Sequence, residues 1–311
     1  MIRELRRSDA PALYELLKMG FPEEEELLGS TPEAVERVAR RALRWDARFL
    51  VGLLGLFGRP VFRFLVVEED RRIVATTILT FPERAGYVST VMVHPDYRRR
   101  GYARALLERA REIAAGTGRK YVALEVLRTN APAIALYERM GYRRLGDGGA
   151  IVSRESSTPL TGGPSASVRP FVPKDAPALV EVARRATPPE VLEVLPPSAS
   201  AIRGSGVVDR ALESRSQAWV VDRGHGAEAH VVAVVGGASS AAHLSEPIVG
   251  EGVPETDVAA LLRTAIDWCA PARPPRIVGR VAAANARGRA ALTAGGFREA
   301  IADWTLYRPV D

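Results

Sequence analysis

The residues with the clearest chemical potential lie in one stretch, Val91-Met92-Val93-His94-Pro95-Asp96-Tyr97-Arg98-Arg99-Arg100-Gly101-Tyr102-Ala103-Arg104. It reads as a Val-rich strand, a turn at Pro95, and a basic loop that opens a helix. The first amides of a helix have no partner inside it, and the helix dipole adds partial positive charge there. Such an end suits an anion, above all a pyrophosphate. Gly101 and Ala103 have little or no side chain, so phosphate oxygens can approach the backbone, and the arginines add forked donors. A bare Arg-x-x-Gly-x-Ala string also fits a solvated basic turn. The strand before it and the apolar-faced helix after it favour the ligand site.

Two further side chains carry chemistry. Glu125 sits in the otherwise apolar run Tyr121–Leu127, on the face it shares with Tyr121, Ala123 and Leu127. A carboxylate there is paired, partly wet or functional. It is either a general base or half of an ion pair, with Arg128 as a candidate partner. Tyr137 is either a proton donor or a packed helix aromatic. His94 reads as a turn residue.

The elements that must position these groups follow from the pattern. Residues 1–5 form a short strand, followed by a helix with Ser8 or Asp9 as N-cap and Pro11 in its first turn. Thr31-Pro32-Glu33 opens a second helix. Phe62 to Glu68, Arg72 to Thr80 and Tyr87 to His94 read as strands. Ala103, Leu106, Leu107, Ala110, Ile113 and Ala114 share one helical face. Tyr121 to Leu127 is a strand, Ala131 to Met140 a helix stopped by Gly141, and Ala150 to Arg154 a last strand. The order β-α-α-β-β-β-α-β-α-β is a mixed α/β sandwich, an α+β mixed sheet.

These motifs resemble the GNAT superfamily of N-acetyltransferases, whose signature Arg/Gln-x-x-Gly-x-Gly/Ala is matched at Arg98, Gly101 and Ala103. The later block, Leu124-Glu125-Val126 through Asn130, Ala133 and Leu136-Tyr137-Glu138 to Gly141-Tyr142, is similar too, especially to ribosomal-protein alanine acetyltransferases. The two blocks cover most of residues 61–154. The resemblance implies acetyl-CoA as cosubstrate and a primary amine as acceptor. Val91, Met92 and Val93 would lie along the pantetheine arm, and a backbone amide there would polarise the thioester carbonyl. Arg98, Arg99, Arg100, Gly101, Tyr102, Ala103 and Arg104 would bind the pyrophosphate. Asn130 would contact the pantetheine or help splay the strands. Glu125 would be the general base, directly or through water, and Tyr137 the acid that protonates the leaving thiolate.

The chain as a whole carries a repeat. Asp9-Ala10-Pro11-Ala12-Leu13 recurs as Asp175-Ala176-Pro177-Ala178-Leu179, and Asn130 precedes Gly141-Tyr142 by the interval at which Asn285 precedes Gly296-Phe297. Two copies are expected, 1–154 and 167–311, joined by a Gly/Pro/Ser-rich linker at 155–166. In the second copy Val253, Pro254 and Glu255 stand where the first has its arginines, Thr256 replaces Gly101 and Leu292 replaces Tyr137. Pro254 lacks an amide donor, and Glu251, Glu255 and Asp257 would repel a phosphate. The second copy therefore reads as a degenerate GNAT-like domain that walls the acceptor groove, in a tandem layout resembling mycothiol synthase. That family keeps its live half at the C-terminus, whereas here the motif is N-terminal. One CoA per chain is expected.

Composition narrows the function classes. Its 311 residues, 47% apolar and 26% charged, suit two ordinary soluble domains. A net charge of +6 accompanies no ladder of stacking aromatics, so nucleic-acid binding is not expected. The most apolar run, Phe49–Phe57, is too short to span a bilayer and reads as core or interface. The single cysteine, Cys269, allows no internal disulfide and reads as a packed apolar residue, which fits a reducing cytoplasm. His94, His225, His230 and His243 have no metal spacing, so no metal is expected. The assembly expected is a pseudo-dimeric monomer or a homodimer. The leading function is acetyl transfer from acetyl-CoA to an amine of a small molecule or peptide by direct attack in a ternary complex, since the first copy holds no cysteine for a covalent route. The alternatives are a non-catalytic CoA-binding sensor or an enzyme for longer acyl-CoA.

Overall fold

The computed structural model describes residues 1–17, 19, 26–27, 29, 62–160, 163–199, 202, 213–237 and 239–311. The expected helix at Thr31-Pro32-Glu33 and the apolar run Phe49–Phe57 lie outside them.

The first half contains β1 (Ile2–Glu4), α1 (Ala10–Leu17), β2 (Phe62–Glu69), β3 (Arg72–Thr80), β4 (Ala85–Val93), α2 (Tyr102–Gly116), β5 (Tyr121–Leu127), α3 (Ala131–Arg139), the two-residue β6 (Arg143–Arg144) and β7 (Gly149–Glu155). The second contains β8 (Val168–Pro170), α4 (Ala176–Ala186), α5 (Pro189–Val194), β9 (Ser214–Asp222), β10 (Ala227–Gly236), β11 (Ala242–Leu244), β12 (Ile248–Val249), α6 (Glu255–Cys269), β13 (Arg276–Ala282), α7 (Ala286–Ala294) and β14 (Arg298–Pro309). The strands predicted for the first half agree with these to within two residues, and the fold is the expected mixed α/β.

The repeated Asp-Ala-Pro-Ala-Leu string has a common physical role. In the first copy Arg3 donates both Nη atoms to Asp9, at 2.6 and 3.0 Å, and Asp9 Oδ2 also accepts from the Arg6 amide at 2.6 Å. In the second copy Arg169 forks onto Asp175 at 2.8 Å twice, and Asp175 accepts from the Val172 amide at 2.9 Å. Each arginine is held from behind by a second carboxylate, Glu68 or Asp222. The repeat thus ties the first strand of each half to the start of its first helix. Asn130 and Asn285 cap α3 and α7 alike, each side-chain oxygen accepting the amide three residues on, Ala133 at 3.2 Å and Gly288 at 2.8 Å.

Among the described residues all strands join one sheet, with path β1-β2-β3-β4-β5-β14-β7-β13-β11-β10-β9-β8, β12 adding to β10 and β6 to β14. The path shows an exchange. The last strand of the chain, β14, lies between β5 and β7 of the first half, pairing Thr305 with Glu125 and Ala302 with Ala150. In return β7 lies between β14 and β13, pairing Gly279 with Val152. Each half thus lends its final strand to the other, and the sheet runs unbroken across the sequence boundary near residue 154.

The helices cover the sheet by their apolar stripes. Leu106, Leu107, Ala110 and Ala114 of α2 are buried against the first-half strands, and Leu261, Leu262, Ala265 and Ile266 of α6 against the second. Gly86 lets α2 approach β4 closely, since a Cβ there would stand 2.8 Å from Ala114 Cβ. Cys269 is buried at the end of α6, its thiol donating to Ala265 O at 3.3 Å, as expected of a packed residue.

Candidate active site

Strands β4 and β5 run parallel, but their pairing stops at Val88–Leu124. Beyond it β4 continues along β3, with a bulge between Thr76 and Ile78 and a positive φ of 56° at Thr90. β5 continues along β14 instead. The two strands therefore part. Between them opens a cleft of about 910 Å³, walled by Val91, Met92 and Val93 on one side, Glu125 and Asn130 on the other, and Tyr137 from α3. The unpaired backbone edge of β4 in this cleft is an extended surface able to bond an extended ligand.

At the end of β4 the chain turns into α2. His94 Nδ1 accepts from the Asp96 amide at 3.2 Å and caps a short 3-10 turn, the turn role expected of it. Arg99 and Gly101 take positive φ, 63° and 85°, which swings the chain into the first turn of α2. Gly101 is the N-cap without a side-chain cap, and a Cβ there would meet nothing within 4 Å, so the approach to the first amides stands open. Arg98, Arg99, Gly101, Tyr102, Ala103 and Arg104 line the cleft. Arg100 does not join them: it donates to Glu69 and to Asp96 O, both at 3.3 Å, and lies over the Tyr97 ring. The Tyr102 hydroxyl also bonds Glu69. Arg100 thus braces the loop from behind.

Glu125 lies where the strands part. Its ion-pair partner is Arg280 of the second half, Nη2 to Oε1 at 2.5 Å, and not Arg128. Arg128 turns the other way, donating to Asp303 O and Asp147 O and stacking 3.9 Å from the Trp304 ring centroid. Arg280 Nη2 also donates to Asp303 Oδ1 at 3.0 Å, and the Tyr87 hydroxyl bonds the Glu125 carboxylate. Burial raises the Glu125 pKa above the ordinary carboxylate value, and the Arg280 charge and the Tyr87 bond offset this only in part. Tyr137 is buried beside Tyr142, ring centroids 5.7 Å apart, and burial pushes its hydroxyl up to about 12. Tyr137 is both packed, as a helix aromatic would be, and on the cleft wall.

Tyr87, Arg280 and Asp303 are site groups that the motifs do not mark. One signal for Arg280 was present. It stands five residues before the capping Asn285, as Glu125 stands five before Asn130, so the repeat aligns the two. Nothing in the sequence says that aligned positions meet.

In the second half the chain itself bonds the end of β13, the strand equivalent to β5. Glu246, in the break between β11 and β12, accepts from the Ala282 amide at 3.0 Å and from Asn285 Nδ2 at 2.8 Å. Helix α6 opens with Pro254 as its cap and with Glu255 and Asp257 in its first turn. Among the described residues no group of three or more His, Cys, Asp or Glu could hold a metal ion, and no helix is long and apolar enough to cross a membrane.

Residues 11–142 match the model of the acetyltransferase (GNAT) family, so this segment is similar to those acyltransferases. Solved structures share the fold over the whole chain. A tandem GNAT protein from the clavulanic acid biosynthesis pathway superimposes with a TM-score of 0.67 at 16% identity, covering 100% of this chain and 98% of that one. A GCN5-related N-acetyltransferase from Sphaerobacter thermophilus gives 0.64 at 16% identity, covering 100% and 95%. A putative acetyltransferase from Pyrococcus horikoshii gives 0.59 at 12%, covering 99% and 89%. At these identities the likeness concerns the fold, and the fold is that of tandem GNAT domains.

Proposed function

We propose that this protein transfers an acetyl group from acetyl-CoA to a primary amine, by direct attack, in the cleft between β4 and β5. The observation that carries the reading is the split itself: an open strand edge leads from Glu125 and Tyr137 straight to the first turn of α2. The cleft fits the cosubstrate chemically. Val91, Met92 and Val93 offer backbone groups to a pantetheine arm. The α2 amides, with Arg98, Arg99 and Arg104 around them, offer donors to a pyrophosphate. Asn130 acts at one remove, capping α3 and so placing Tyr137. When bound, acetyl-CoA supplies an acyl thioester open to attack.

The chain's own residues then handle protons. Glu125 takes one from the incoming ammonium, because only the neutral amine attacks. As the N–C bond forms and the C–S bond breaks, Tyr137 Oη gives its proton to the departing sulfur and regains one from the acylated nitrogen. The raised pKa of Tyr137 keeps it protonated at neutral pH. The second half, 167–311, serves as wall and brace to the first across the 155–166 linker; with Glu246 bonded to the end of its β13, it takes no CoA. The unit is self-sufficient as a monomer and works in the cytoplasm, where acetyl-CoA and the reduced Cys269 are both at home.

The test is a screen of amine acceptors with acetyl-CoA, read by release of free thiol, beside calorimetric titration with CoA. Thiol release that depends on acceptor, with one CoA bound per chain, supports the reading. CoA binding without turnover on any amine would replace it with a sensor.

A further inference from the structure

The second half reaches the reacting end of the cleft through Arg280 and Asp303, both of which line it beside Glu125. The other arginines of the cleft wall, Arg98, Arg99, Arg104 and Arg139, belong to the loop and first turn of α2 or to the last turn of α3. Arg280 is the guanidinium that contacts the proposed base.

Its contacts are lopsided. One nitrogen, Nη2, makes both ion pairs, to Glu125 at 2.5 Å and to Asp303 at 3.0 Å. Nε is buried with no hydrogen-bond partner among the described residues. The side chain is nevertheless 36% exposed, on the cleft side. Asp303, at 5% exposure, is the fixed anchor, while Glu125, at 30%, faces the cleft.

An ammonium that engages Glu125 competes with Arg280 for the same carboxylate. Splitting a part-buried pair is costly unless both members find new partners. A lone amine replaces only one. An acceptor that carries a carboxylate next to its amine replaces both: ammonium to Glu125, carboxylate to the Arg280 fork, with Asp303 holding the fork in place. A carboxylate and a guanidinium in contact are the charge complement of a zwitterion of similar span.

Resting on the transferase reading above, we infer that the acceptor is an α-amino acid, or a compound with that head group, and that Arg280 of the second half selects it by binding its carboxylate. Arg280 is then a specificity residue contributed across the exchanged strands.

The experiment uses the full chain and acetyl-CoA with acceptors in matched pairs: an α-amino acid against its carboxamide and its decarboxylated amine, over several side chains. The expected result is a preference for the carboxylate member of roughly ten- to hundred-fold in kcat/KM, the scale of charge-assisted hydrogen bonds. Arg280→Gln should erase it through KM, and Arg280→Lys, which keeps the charge without the fork, should retain part. Should Arg280→Gln fail to fold, the wild-type pairs and the lysine variant decide alone. Equal kcat/KM within the wild-type pairs, preference for the amine lacking the carboxylate, or a preference that survives Arg280→Gln or is untouched by Arg280→Lys overturns the inference. Any of these with turnover intact leaves the transferase reading standing. No transfer to any acceptor, with CoA bound, overturns both.

Discussion

Glu125 and Arg280 occupy matching positions of the two halves, on β5 and β13, and their side chains meet at 2.5 Å. They meet because each half lends its last strand to the other, which brings β5, β14, β7 and β13 side by side in the sheet. The contact therefore lies at the centre of the pseudo-symmetric molecule and at the mouth of the cleft. One repeat position has become the proposed base and its counterpart the cation that holds it.

Replacing Glu125 with Gln should lower kcat by about 10²- to 10⁴-fold with little change in CoA binding. Its carboxylate must be ionised to work, and burial raises its pKa. Wild-type activity should therefore fall as pH drops through a value above that of an ordinary glutamate, and this acid limb should be absent from the residual activity of Glu125→Gln. A pH–rate profile of both proteins reads it.

Tyr137→Phe keeps the ring packed against Tyr142 and removes only the hydroxyl. We expect kcat to fall by about 10²-fold or more, with the melting temperature changed by only a few degrees. With the hydroxyl pushed up to about 12, the wild type should show no alkaline loss from this group below about pH 10. Unchanged turnover in Tyr137→Phe would remove the proposed acid.

Truncation after residue 166 removes β14 and β13 from either side of β7 and β14 from the edge of β5. β5 would be left with an unpaired edge and β7 with no partner strand. The fragment 1–166 should aggregate or unfold, and should not turn over amines even when soluble. Gel filtration and the thiol-release assay check this; a monomeric, fully active fragment would show that the second half is dispensable.

Asp9 and Asp175 tie the start of each half. Burial works against the charge of Asp9, but the Arg3 fork and the Arg6 amide outweigh it; at Asp175 the Arg169 fork dominates. Both carboxylates are held below their usual range. A folded-state pKa below the unfolded one stabilises above the unfolded value and loses that contribution as pH falls through the folded one. Asp9→Asn and Asp175→Asn should each destabilise by roughly 1–3 kcal/mol at pH 7, and the deficit should shrink below about pH 4. Denaturant titrations at both pH values measure it.

Burial also pushes the Cys269 thiol up to about 11. In the native protein it should resist a thiol reagent at pH 8, and react fully once the chain is unfolded. Activity should survive Cys269→Ala, as expected of a direct-attack route.

The sequence by itself determined the first-half elements, the Arg98–Arg104 loop ahead of an apolar-faced helix, and the repeat, because these are local: periodicity, caps and small residues state them within a few turns of chain. The expectation that Thr256, Pro254 and acidic neighbours replace the basic loop was legible for the same reason. The partner of Glu125 was not. Arg128, three residues away, was the nearest candidate, yet an odd separation along an extended chain sends two side chains to opposite faces, and Arg128 turns instead to Trp304 and to the carbonyl groups of Asp303 and Asp147. The true partner lies 155 positions on in sequence, and only strand pairing brings it near. Glu246 at the end of β13 and the withdrawal of Arg100 onto Glu69 are likewise tertiary facts. The exchange of β7 and β14 is the physical reason: a strand pattern records that a segment will pair, and the partner is chosen by the packing of the whole sheet.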